Sequence, residues 1–362
     1  MRPPLSFATL ASVTIQEQVP LAPLTTLGVG GPARYFVECV SHQDVCEAVQ
    51  FARLQSLPIF VLGGGSNLVV ADEGFAGLVL KVAVRGISAS HLNGNQTLFD
   101  VGAGEDWDNF VNAAVLQNCS GLECLSGIPG TVGGTPVQNV GAYGQEVSAT
   151  IRHVEAFDLE TGDLRVFPNS ECGFAYRTSR FNTVDRGRYI ILRVCYALRR
   201  GGQPELAYAD LKKYFAGREQ PSLAEIREAV INIRRSKGMV LDQSDADSHS
   251  AGSFFKNPVL SDEQFQALEE RAATRGLKVP NYPALSSQRK VSAAWLVEQS
   301  GFSKGTARGP VGISSKHSLA LINRGGAKAA DIIALKNDVQ RAVADQFGIH
   351  LVPEPVFLGF SD

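Results

Sequence analysis

The chain has 362 residues, and a prior of roughly 150 residues per domain predicts two or three domains. Hydrophobic residues make up 44% of the chain and charged residues 19%, which excludes wholesale disorder and leaves enough apolar material for a core. The formal net charge is −2, so charge gives no reason to expect a nucleic-acid partner.

No uninterrupted apolar run approaches the ~18 residues of a transmembrane helix, so we expect no membrane partner. Residues 1–13 contain one arginine and no continuous apolar stretch, which argues against a signal peptide. We predict a disordered tail over residues 1–20. The six cysteines contain no CxxC pair and the six histidines no HxH or HExxH motif, a pattern that favours a reduced, cytoplasmic protein without a metal site.

The first 200 residues alternate between helical and extended patterns. Hydrophobic periodicity predicts helices over residues 43–55 and 107–117. Between and after them it predicts strands over residues 57–62, 68–71, 78–84, 98–101, 151–158, 162–168 and 189–198, the last three antiparallel. Residues 25–37 are predicted as a glycine turn that leads into a further strand, and residues 121–144 as a long loop.

An amphipathic helix with a basic end is predicted over residues 223–235, and we expect a third region to begin there. That region is predicted to contain helices over residues 262–275, 292–299 and 329–347, with short strands near 311–313, 319–323 and 356–360. The helix followed by strands within residues 25–84 indicates a small α+β lobe at the start of the chain.

Two glycine patterns imitate a dinucleotide-binding fingerprint. The first, Gly28-x-Gly30-x-x-Ala33, leads into a predicted strand instead of a helix. The second, Gly102-x-Gly104, stands between a strand and a helix but has Trp107 where the third glycine belongs. The fingerprint requires strand, turn and helix in that order, so we expect neither a Rossmann domain nor, without a GxxxxGK[ST] motif, a P-loop.

Glycine is concentrated in one part of the chain: sixteen of the 36 glycines lie between Gly63 and Gly144. The triple glycine at 63–65 follows an apolar strand and precedes Ser66 and Asn67, so its backbone amides are suited to an anion, although a tight turn explains the same letters. Residues 127–144 are too rich in glycine and proline for a regular element and too apolar for a linker. Long ordered loops of this kind usually bind a ligand.

Taken in order, these segments and three others resemble the UDP-N-acetylenolpyruvoylglucosamine reductase family. The resemblance runs from about residue 25 to residue 360. It rests on GGGSN at 63–67, GIPG at 127–130, GG at 133–134, PVQN at 136–139, GAYG at 141–144, FAYRTS at 174–179, GSFFKNP at 252–258 and PE at 353–354.

The resemblance implies an α+β protein with an FAD-binding fold of the vanillyl-alcohol-oxidase type in two subdomains, followed by an α+β substrate-binding domain. We place the first subdomain at residues 21–85 together with the C-terminal strand at 352–362, the second at 86–232 and the substrate domain at 233–351. The implied reaction reduces the enolpyruvyl ether of a UDP-sugar, with FAD as cofactor and NADPH as hydride donor. Because residues 63–67 contain no histidine or cysteine, the FAD is expected to be bound non-covalently.

The same resemblance assigns a cofactor-binding role to residues of the glycine-rich segments. They are Gly63, Gly64, Gly65, Ser66, Asn67, Leu68, Gly127, Ile128, Pro129, Gly130, Gly133, Gly134, Asn139, Gly141, Ala142, Tyr143 and Gly144. Substrate binding is assigned to Tyr208, which matches a tyrosine loop of the family, to Arg234 and Lys237, whose charges suit the two phosphates of a UDP-sugar, and to Asn257. Arg234 and its neighbour are also typical of an ordinary solvated helix end, and Asn257 is equally suited to fixing its own loop.

Three residues match the family's catalytic positions: Arg177, Ser253 and Glu354. Addition of hydride to the double bond leaves negative charge beside the substrate carboxylate, which calls for a cationic fork and a proton donor. Arg177 and Ser253 have those chemistries, although a lone arginine is more often a structural ion pair. Glu354 must be protonated or charge-balanced if it lies beside a carboxylate.

Two other functions remain open on sequence grounds. An FAD-dependent oxidase of the same fold, acting on an alcohol or lactone, would need neither Ser253 nor a phosphate-binding third domain. A non-catalytic nucleotide-sugar binder would carry no flavin. We expect a monomer whose partner is the UDP-sugar substrate.

Overall fold

The computed structural model describes residues 13–92, 94–204, 206, 208–218, 220–283 and 288–360. These residues form seven α-helices: α1 His42–Leu54, α2 Trp107–Leu116, α3 Ala209–Tyr214, α4 Leu223–Ser236, α5 Asp262–Ala273, α6 Ala293–Gln299 and α7 Ala329–Phe347.

The strands of the described residues, in chain order, are β1 Gln16–Pro20, β2 Pro32–Cys39, β3 Ile59–Leu62, β4 Leu68–Val70, β5 Phe75–Val82, β6 Ile87–His91, β7 Gln96–Gly102, β8 Cys119–Ser120, β9 Gly141–Ala142, β10 Gln145–Glu146, β11 Ile151–Asp158, β12 Leu164–Pro168, β13 Tyr189–Arg200, β14 Val259–Ser261, β15 Asn281–Pro283, β16 Gln288–Val291, β17 Ala307–Arg308, β18 Val311–Ile313, β19 Leu321–Asn323 and β20 Val356–Leu358.

Contacts between Cα atoms divide the described chain into two compact units. Unit one takes residues 13–19, 33–65 and 75–235, and unit two takes residues 20–32, 66–74 and 236–360. The boundary at residue 235 falls at the end of α4, where the sequence predicts that a further region begins. The three-domain division made from the sequence stays a prediction.

The first sheet of unit one has the strand order β1-β2-β5-β3, and both β2 and β3 run parallel to β5. Helix α1 connects β2 to β3. It begins at a capping box in which the Ser41 hydroxyl accepts from the Asp44 amide and the Asp44 carboxylate accepts from the Ser41 amide. Val45, Ala48 and Ala52 recur at helical spacing and are fully buried, so one face of α1 packs into the core.

Strand β1 corrects the predicted tail. Residues 1–12 lie outside the described residues, but Gln16–Pro20 is a strand hydrogen-bonded to β2. Its polar side chains are mostly exposed and gave no alternating pattern, while Val13 beside it is buried in the core of unit one. The partner strand, more than the residues of β1 themselves, therefore determines this strand.

The second sheet of unit one is antiparallel, with the order β12-β11-β13-β7-β6, and β8 pairs with the end of β13. Helix α2 packs on it through aromatic side chains: the ring centroid of Phe110 lies 5.0 Å from that of Tyr196 on β13 and 5.7 Å from that of Phe99 on β7. Trp107 is buried in the same cluster. This packing fixes the N-terminal end of α2, which matters for the glycine-rich loop described below.

A buried ion pair closes the end of β11. Asp158 is fully buried and accepts two hydrogen bonds from Arg188, whose Nη2 lies 2.8 Å from Asp158 Oδ2. The Arg188 hydrogen bonds lower the pKa of Asp158 to about 2. Because an unfolded aspartate has a pKa near ~3.9, this carboxylate stabilises the fold above that pH, and the contribution is lost as the pH falls through about 2.

We therefore expect Asp158→Asn to lower the free energy of unfolding at pH 7, because the uncharged amide removes the buried carboxylate partner of Arg188 and leaves only the exposed Glu160. The difference from the wild type should shrink between about pH 4 and pH 2, as the wild-type carboxylate is protonated. Urea titrations of both proteins at several pH values measure it. A constant difference across that range would contradict the assignment.

Unit two contains two three-stranded antiparallel sheets, β14-β16-β15 and β17-β18-β19, together with the parallel pair β4 and β20. Helix α7 buries one apolar stripe in its core and ends at Gly348, whose φ of 69° supplies the left-handed cap. The buried residues of that stripe are Ile332, Leu335, Val339, Val343 and Phe347.

Candidate active site

The two glycine-rich segments of unit one contact each other. A Cβ atom added at Gly64 would lie 2.5 Å from the Cα of Gly130, and one added at Gly63 would lie 2.9 Å from the Thr131 hydroxyl oxygen. No side chain fits between backbones at that distance. The triple glycine therefore serves a close approach of two loops and not merely a turn between strands.

Gly127 is held by hydrogen bonds at both its backbone N–H and its backbone carbonyl. Its N–H donates to Asp108 Oδ1 at 2.6 Å, and its carbonyl accepts from Arg234 Nε at 3.1 Å. Arg227 from α4 chelates the same Asp108, with N···O distances of 2.6 and 2.7 Å. Burial opposes ionisation of Asp108, but these hydrogen bonds outweigh it and hold its pKa below the usual range. The sequence analysis missed both Asp108 and Arg227.

Arg234 is not the solvated helix end that the sequence left open. It is half-buried, and burial lowers the pKa of its guanidinium below the usual value, while the adjacent Tyr143 and Asp108 favour the charged form. It hydrogen-bonds to the Tyr143 side chain as well as to Gly127, and the charge of Arg177 is close enough to disfavour its own. In unit one, Arg234 therefore joins the segments that carry Gly127 and Tyr143, and it lies near the segment that carries Arg177.

We expect Asp108→Ala to weaken FAD binding at least tenfold and to cost about 2 kcal/mol of stability. The substitution leaves the Arg227 guanidinium without its carboxylate and the Gly127 N–H without its acceptor. Titration of apoprotein with FAD and chemical unfolding measure the two effects. The matched control is Asp163→Ala, which removes an exposed carboxylate; unchanged FAD affinity in the Asp108 variant would refute the role.

Gly134 has no packing reason to be glycine. An added Cβ would meet no protein atom within 4 Å, its φ is not in the left-handed range, and the residue is exposed. Its neighbours are fixed, since the Gly133 N–H donates to the Ala103 carbonyl at 2.8 Å and the Thr135 hydroxyl lies 2.7 Å from that of Tyr196. Open space beside a fixed backbone suits the close approach of a flat ligand, so these residues fit a flavin nucleotide.

Three residues without glycine's freedom adopt left-handed backbone in this part of unit one: Asn139, Tyr143 and Arg177, with φ of 46°, 50° and 56°. Such strain is typical of functional loops. Arg177 stands at the tip of a two-residue turn closed by reciprocal hydrogen bonds between Ala175 and Thr178, at 3.0 and 3.1 Å. The Asn139 amide donates to the Ala175 carbonyl, so it ties the glycine-rich loop to the turn that carries Arg177.

Asn139 itself is 1% exposed, and its side chain is engaged by the protein. It donates to Glu146 and Ala175 and accepts from the Ser148 amide. Any cofactor contact it makes must come from its backbone. The other predicted cofactor residues of unit one lie on these same loops: Gly65, Ile128, Pro129, Gly141, Ala142 and Gly144.

Tyr208, predicted to bind substrate, packs edge-on against Tyr143 with ring centroids 5.3 Å apart, and 43% of its surface remains exposed. It directly precedes α3, which packs with α4 in a small apolar cluster that includes Leu211 and Ile226. The sequence analysis did not predict α3. The tyrosine thus has a fixed base and an accessible ring.

In unit two, the residues after the triple glycine pair with the C-terminal segment. Asn67 donates from Nδ2 to the Glu354 carbonyl at 3.3 Å and accepts from the Val356 amide at 3.0 Å. Leu68 follows in β4, opposite Val356 of β20, and is buried. Ser66 directly precedes Asn67, and its carbonyl oxygen lies 3.5 Å from the Thr26 hydroxyl.

Ser253 and Glu354 lie on backbone segments that hydrogen-bond to each other. The Glu354 amide donates to the Phe254 carbonyl, and the Lys256 amide to the Val352 carbonyl, both at 2.9 Å. Phe254 is fully buried, which anchors the segment that carries Ser253. Unit two thus brings together the backbone segments that carry two of the three predicted catalytic residues, while Arg177 belongs to unit one.

The other unit-two predictions differ in outcome. Asn257 accepts the Ala293 amide at 2.9 Å and so fixes its loop to the start of α6, the alternative that the sequence left open. Lys237 follows α4 and is half-buried. The sequence analysis missed His317, whose Nε2 lies 3.1 Å from Ser253 Oγ; a lone histidine gave no signal.

Within the described ranges, no helix is long and apolar enough to cross a membrane.

Comparison with known proteins first defines the class. Residues 33–167 match the family model for an FAD binding domain. The chain is therefore an FAD-binding protein of the α+β class, and the matched residues include the glycine-rich loops of unit one. Residues 243–358 match the model for the UDP-N-acetylenolpyruvoylglucosamine reductase C-terminal domain.

Whole-chain relatives then define the family. The chain is 48% identical to the UDP-N-acetylenolpyruvoylglucosamine reductase of Thermobifida fusca, over 97% of this chain and 99% of the relative, and 45% identical to that of Streptomyces coelicolor, over 98% and 92%. Its fold is similar to that of the Thermus caldophilus reductase, with a TM-score of 0.65 and 26% identity over 96% and 99% of the two chains. The chain belongs to the UDP-N-acetylenolpyruvoylglucosamine reductase family.

Proposed function

We propose that the chain reduces the enolpyruvyl ether of UDP-N-acetylglucosamine to UDP-N-acetylmuramate in peptidoglycan precursor synthesis, with NADPH as reductant and FAD as cofactor. The carrying observation is near-full-length identity of 48% to a reductase of that name. The alternative function, an FAD-dependent oxidase, lacks this support, since residues 243–358 match the reductase's own C-terminal domain.

FAD held here would supply the two-electron chemistry that links NADPH oxidation to reduction of the substrate. The residues that hold it, in this proposal, are those of the loops around Gly64, Gly127 and Gly134, together with Ser66, Asn67 and Leu68. Backbone approach at Gly134 and the double restraint of Gly127 support the assignment. Holding the loops in place before the cofactor arrives lowers the entropic cost of binding.

Arg177 is proposed to bind the substrate carboxylate. Hydride addition at the methylene carbon leaves negative charge on the neighbouring carbon and its carboxylate, and a planar guanidinium pairs with that group in a fixed orientation. The tight turn that carries Arg177 and its anchor through Asn139 support a fixed placement. Because Arg177 is already in place, it stabilises the negative charge on the substrate without reorganising during the reaction.

Ser253 is proposed to protonate the carbon beside the carboxylate, and Glu354 to donate a hydrogen bond in its protonated form. Two carboxylates in contact repel each other, so an ionised Glu354 would oppose the enolate that it should stabilise. On this assignment, a Glu354→Gln enzyme keeps more activity than Glu354→Ala, because the amide still donates. The mutual hydrogen bonding of the two segments supports their joint action.

The UDP moiety is proposed to contact Tyr208, Lys237 and the Nδ2 group of Asn257, whose Oδ1 already accepts from the Ala293 amide, with Arg234 acting through the Tyr143 loop. A lysine ammonium pairs with phosphate as a point charge, and an exposed aromatic ring stacks on or covers a nucleotide. We further propose a cytoplasmic monomer, in keeping with six free cysteines.

An anaerobic two-stage experiment tests the function. The purified protein should first be reduced by NADPH, and its flavin should then be reoxidised quickly by the enolpyruvyl UDP-sugar and slowly by oxygen. An oxidase would show the reverse order. A purified protein that carries no flavin would contradict both the reductase and the oxidase function.

A further inference from the structure

The hydroxyl of Ser253 hydrogen-bonds to a histidine side chain. Ser253 Oγ lies 3.1 Å from His317 Nε2. Backbone hydrogen bonding keeps the two segments together, since the Phe254 amide donates to the Leu319 carbonyl at 2.8 Å. Phe254 directly follows Ser253, and Leu319 comes two residues after His317, so this backbone hydrogen bond lies close to the Ser253–His317 contact.

The loop that carries His317 is held by its own polar network. The buried Ser314 hydroxyl accepts from the amides of Lys316 and His317, at 3.0 and 3.2 Å. Asp247 accepts from the Ser315 amide and hydroxyl, at 2.9 and 2.5 Å. The histidine thus stands on a loop with restrained backbone, which is what a group that orients another side chain requires.

A second ion pair reinforces the same loop. Lys316 Nζ lies 2.7 Å from Asp245 Oδ2, and Asp245 belongs to the turn that also carries Asp247. The two aspartates therefore hold consecutive residues, Ser315 and Lys316, directly before the histidine.

The direction of the Ser253–His317 hydrogen bond decides what the serine can do. If Nε2 lacks a proton, it accepts the serine proton, and the hydroxyl then points its only hydrogen away from any substrate. If Nε2 carries a proton, it donates to Oγ, and the serine proton is directed elsewhere. A proton donor needs the second arrangement.

We propose that His317 is the positioning residue of Ser253, with Nε2 protonated and donating to Oγ. This role of His317 rests on the proton-donor role proposed for Ser253. The donated hydrogen bond orients the serine proton toward the substrate carbon, and it stabilises the negative charge that develops on Oγ as the proton leaves. His317 contacts neither substrate nor cofactor in this role.

Half-reactions of the holoenzyme separate this role from a structural one. In His317→Phe, reoxidation of the reduced flavin by the enolpyruvyl sugar should slow about 10- to 100-fold, while reduction of the flavin by NADPH stays within about twofold of wild type. His317→Gln should recover most of the lost rate, because its amide reaches the position of Nε2. His350→Phe, at an exposed histidine, is the matched control and should change neither half-reaction.

Nitrogen NMR of histidine-labelled wild-type protein provides a readout that needs no turnover and no variant that might misfold. The His317 signal should report a protonated Nε2, and Ser253→Ala should shift that resonance. An unprotonated Nε2 in the wild type overturns the proposal, as does a His317→Phe enzyme with a normal sugar-dependent half-reaction. If Ser253→Ala also turns over normally, the proposed role of Ser253 is what fails.

Discussion

Ser253→Ala should lower the rate of the sugar-dependent half-reaction by about 100- to 1000-fold, because a positioned general acid typically contributes 10²- to 10⁴-fold. The NADPH-dependent half-reaction should remain unchanged, since no proton is delivered to substrate in it. Stopped-flow absorbance of the bound flavin measures both rates in one preparation. The segment around Ser253 is anchored by the buried Phe254 and by backbone hydrogen bonds to Glu354 and Leu319, so removal of one hydroxyl leaves its backbone in place.

The control for this variant is Ser303→Ala, an exposed serine of the same unit. It should leave both half-reactions as they are. Equal slowing of the two half-reactions in Ser253→Ala would indicate damage to cofactor binding instead of a lost proton donor. A normal sugar-dependent rate would remove Ser253 from the mechanism.

Substitutions at Gly64 and Gly134 should abolish or weaken FAD binding for different reasons. Gly64→Ala places a Cβ 2.5 Å from the Gly130 Cα, so the two loops must separate. We expect a loss of about 2 kcal/mol or more of stability together with the FAD. Gly134→Ala meets no protein atom, so the apoprotein should keep its stability while FAD affinity falls about 10- to 100-fold.

Thermal unfolding of the apoproteins and FAD titration separate the two cases. Gly162→Ala is the matched control: it has open space and a φ of 85°, so it should cost about 1 kcal/mol through backbone strain alone. It lies in the turn between β11 and β12, outside the glycine-rich segments, and should leave FAD affinity intact. Full FAD affinity in Gly134→Ala would show that no ligand approaches the backbone there.

Regular elements with a strong period were predictable from the sequence. The helix predicted over residues 329–347 is Ala329–Phe347, because its apolar residues recur at helical spacing and Gly348 ends it. The antiparallel arrangement of β11, β12 and β13 is confirmed as well. The α+β class is confirmed, since the FAD-binding family model and the similar reductase structure agree with it.

Short and polar elements were not predictable. Strand β6 is exposed along its whole length, and β1 is mostly exposed, so neither has a hydrophobic alternation to detect. Helix α3 spans six residues and buries only Leu211, which is too little for a periodic signal. In each case the neighbouring strand or helix decides the conformation, and a linear pattern does not contain that partner.

Motif residues were predictable, but the contacts that hold them were not. Gly127 is recognisable from its sequence neighbours, whereas Asp108 and Arg227, which hold it, lie 19 residues before it and on a helix much later in the chain. Arg234 was assigned to the substrate by its charge, yet its observed partners are a loop carbonyl and a tyrosine. Charge alone does not distinguish a residue that binds phosphate from one that supports a loop.

Product analysis tests the central claim most directly. Purified protein, supplied anaerobically with NADPH and the enolpyruvyl ether of UDP-N-acetylglucosamine, should convert the sugar into a product heavier by two hydrogens. One NADPH should be consumed for each sugar. NADPH consumption with the sugar recovered unchanged, or consumption that requires oxygen, would contradict the account.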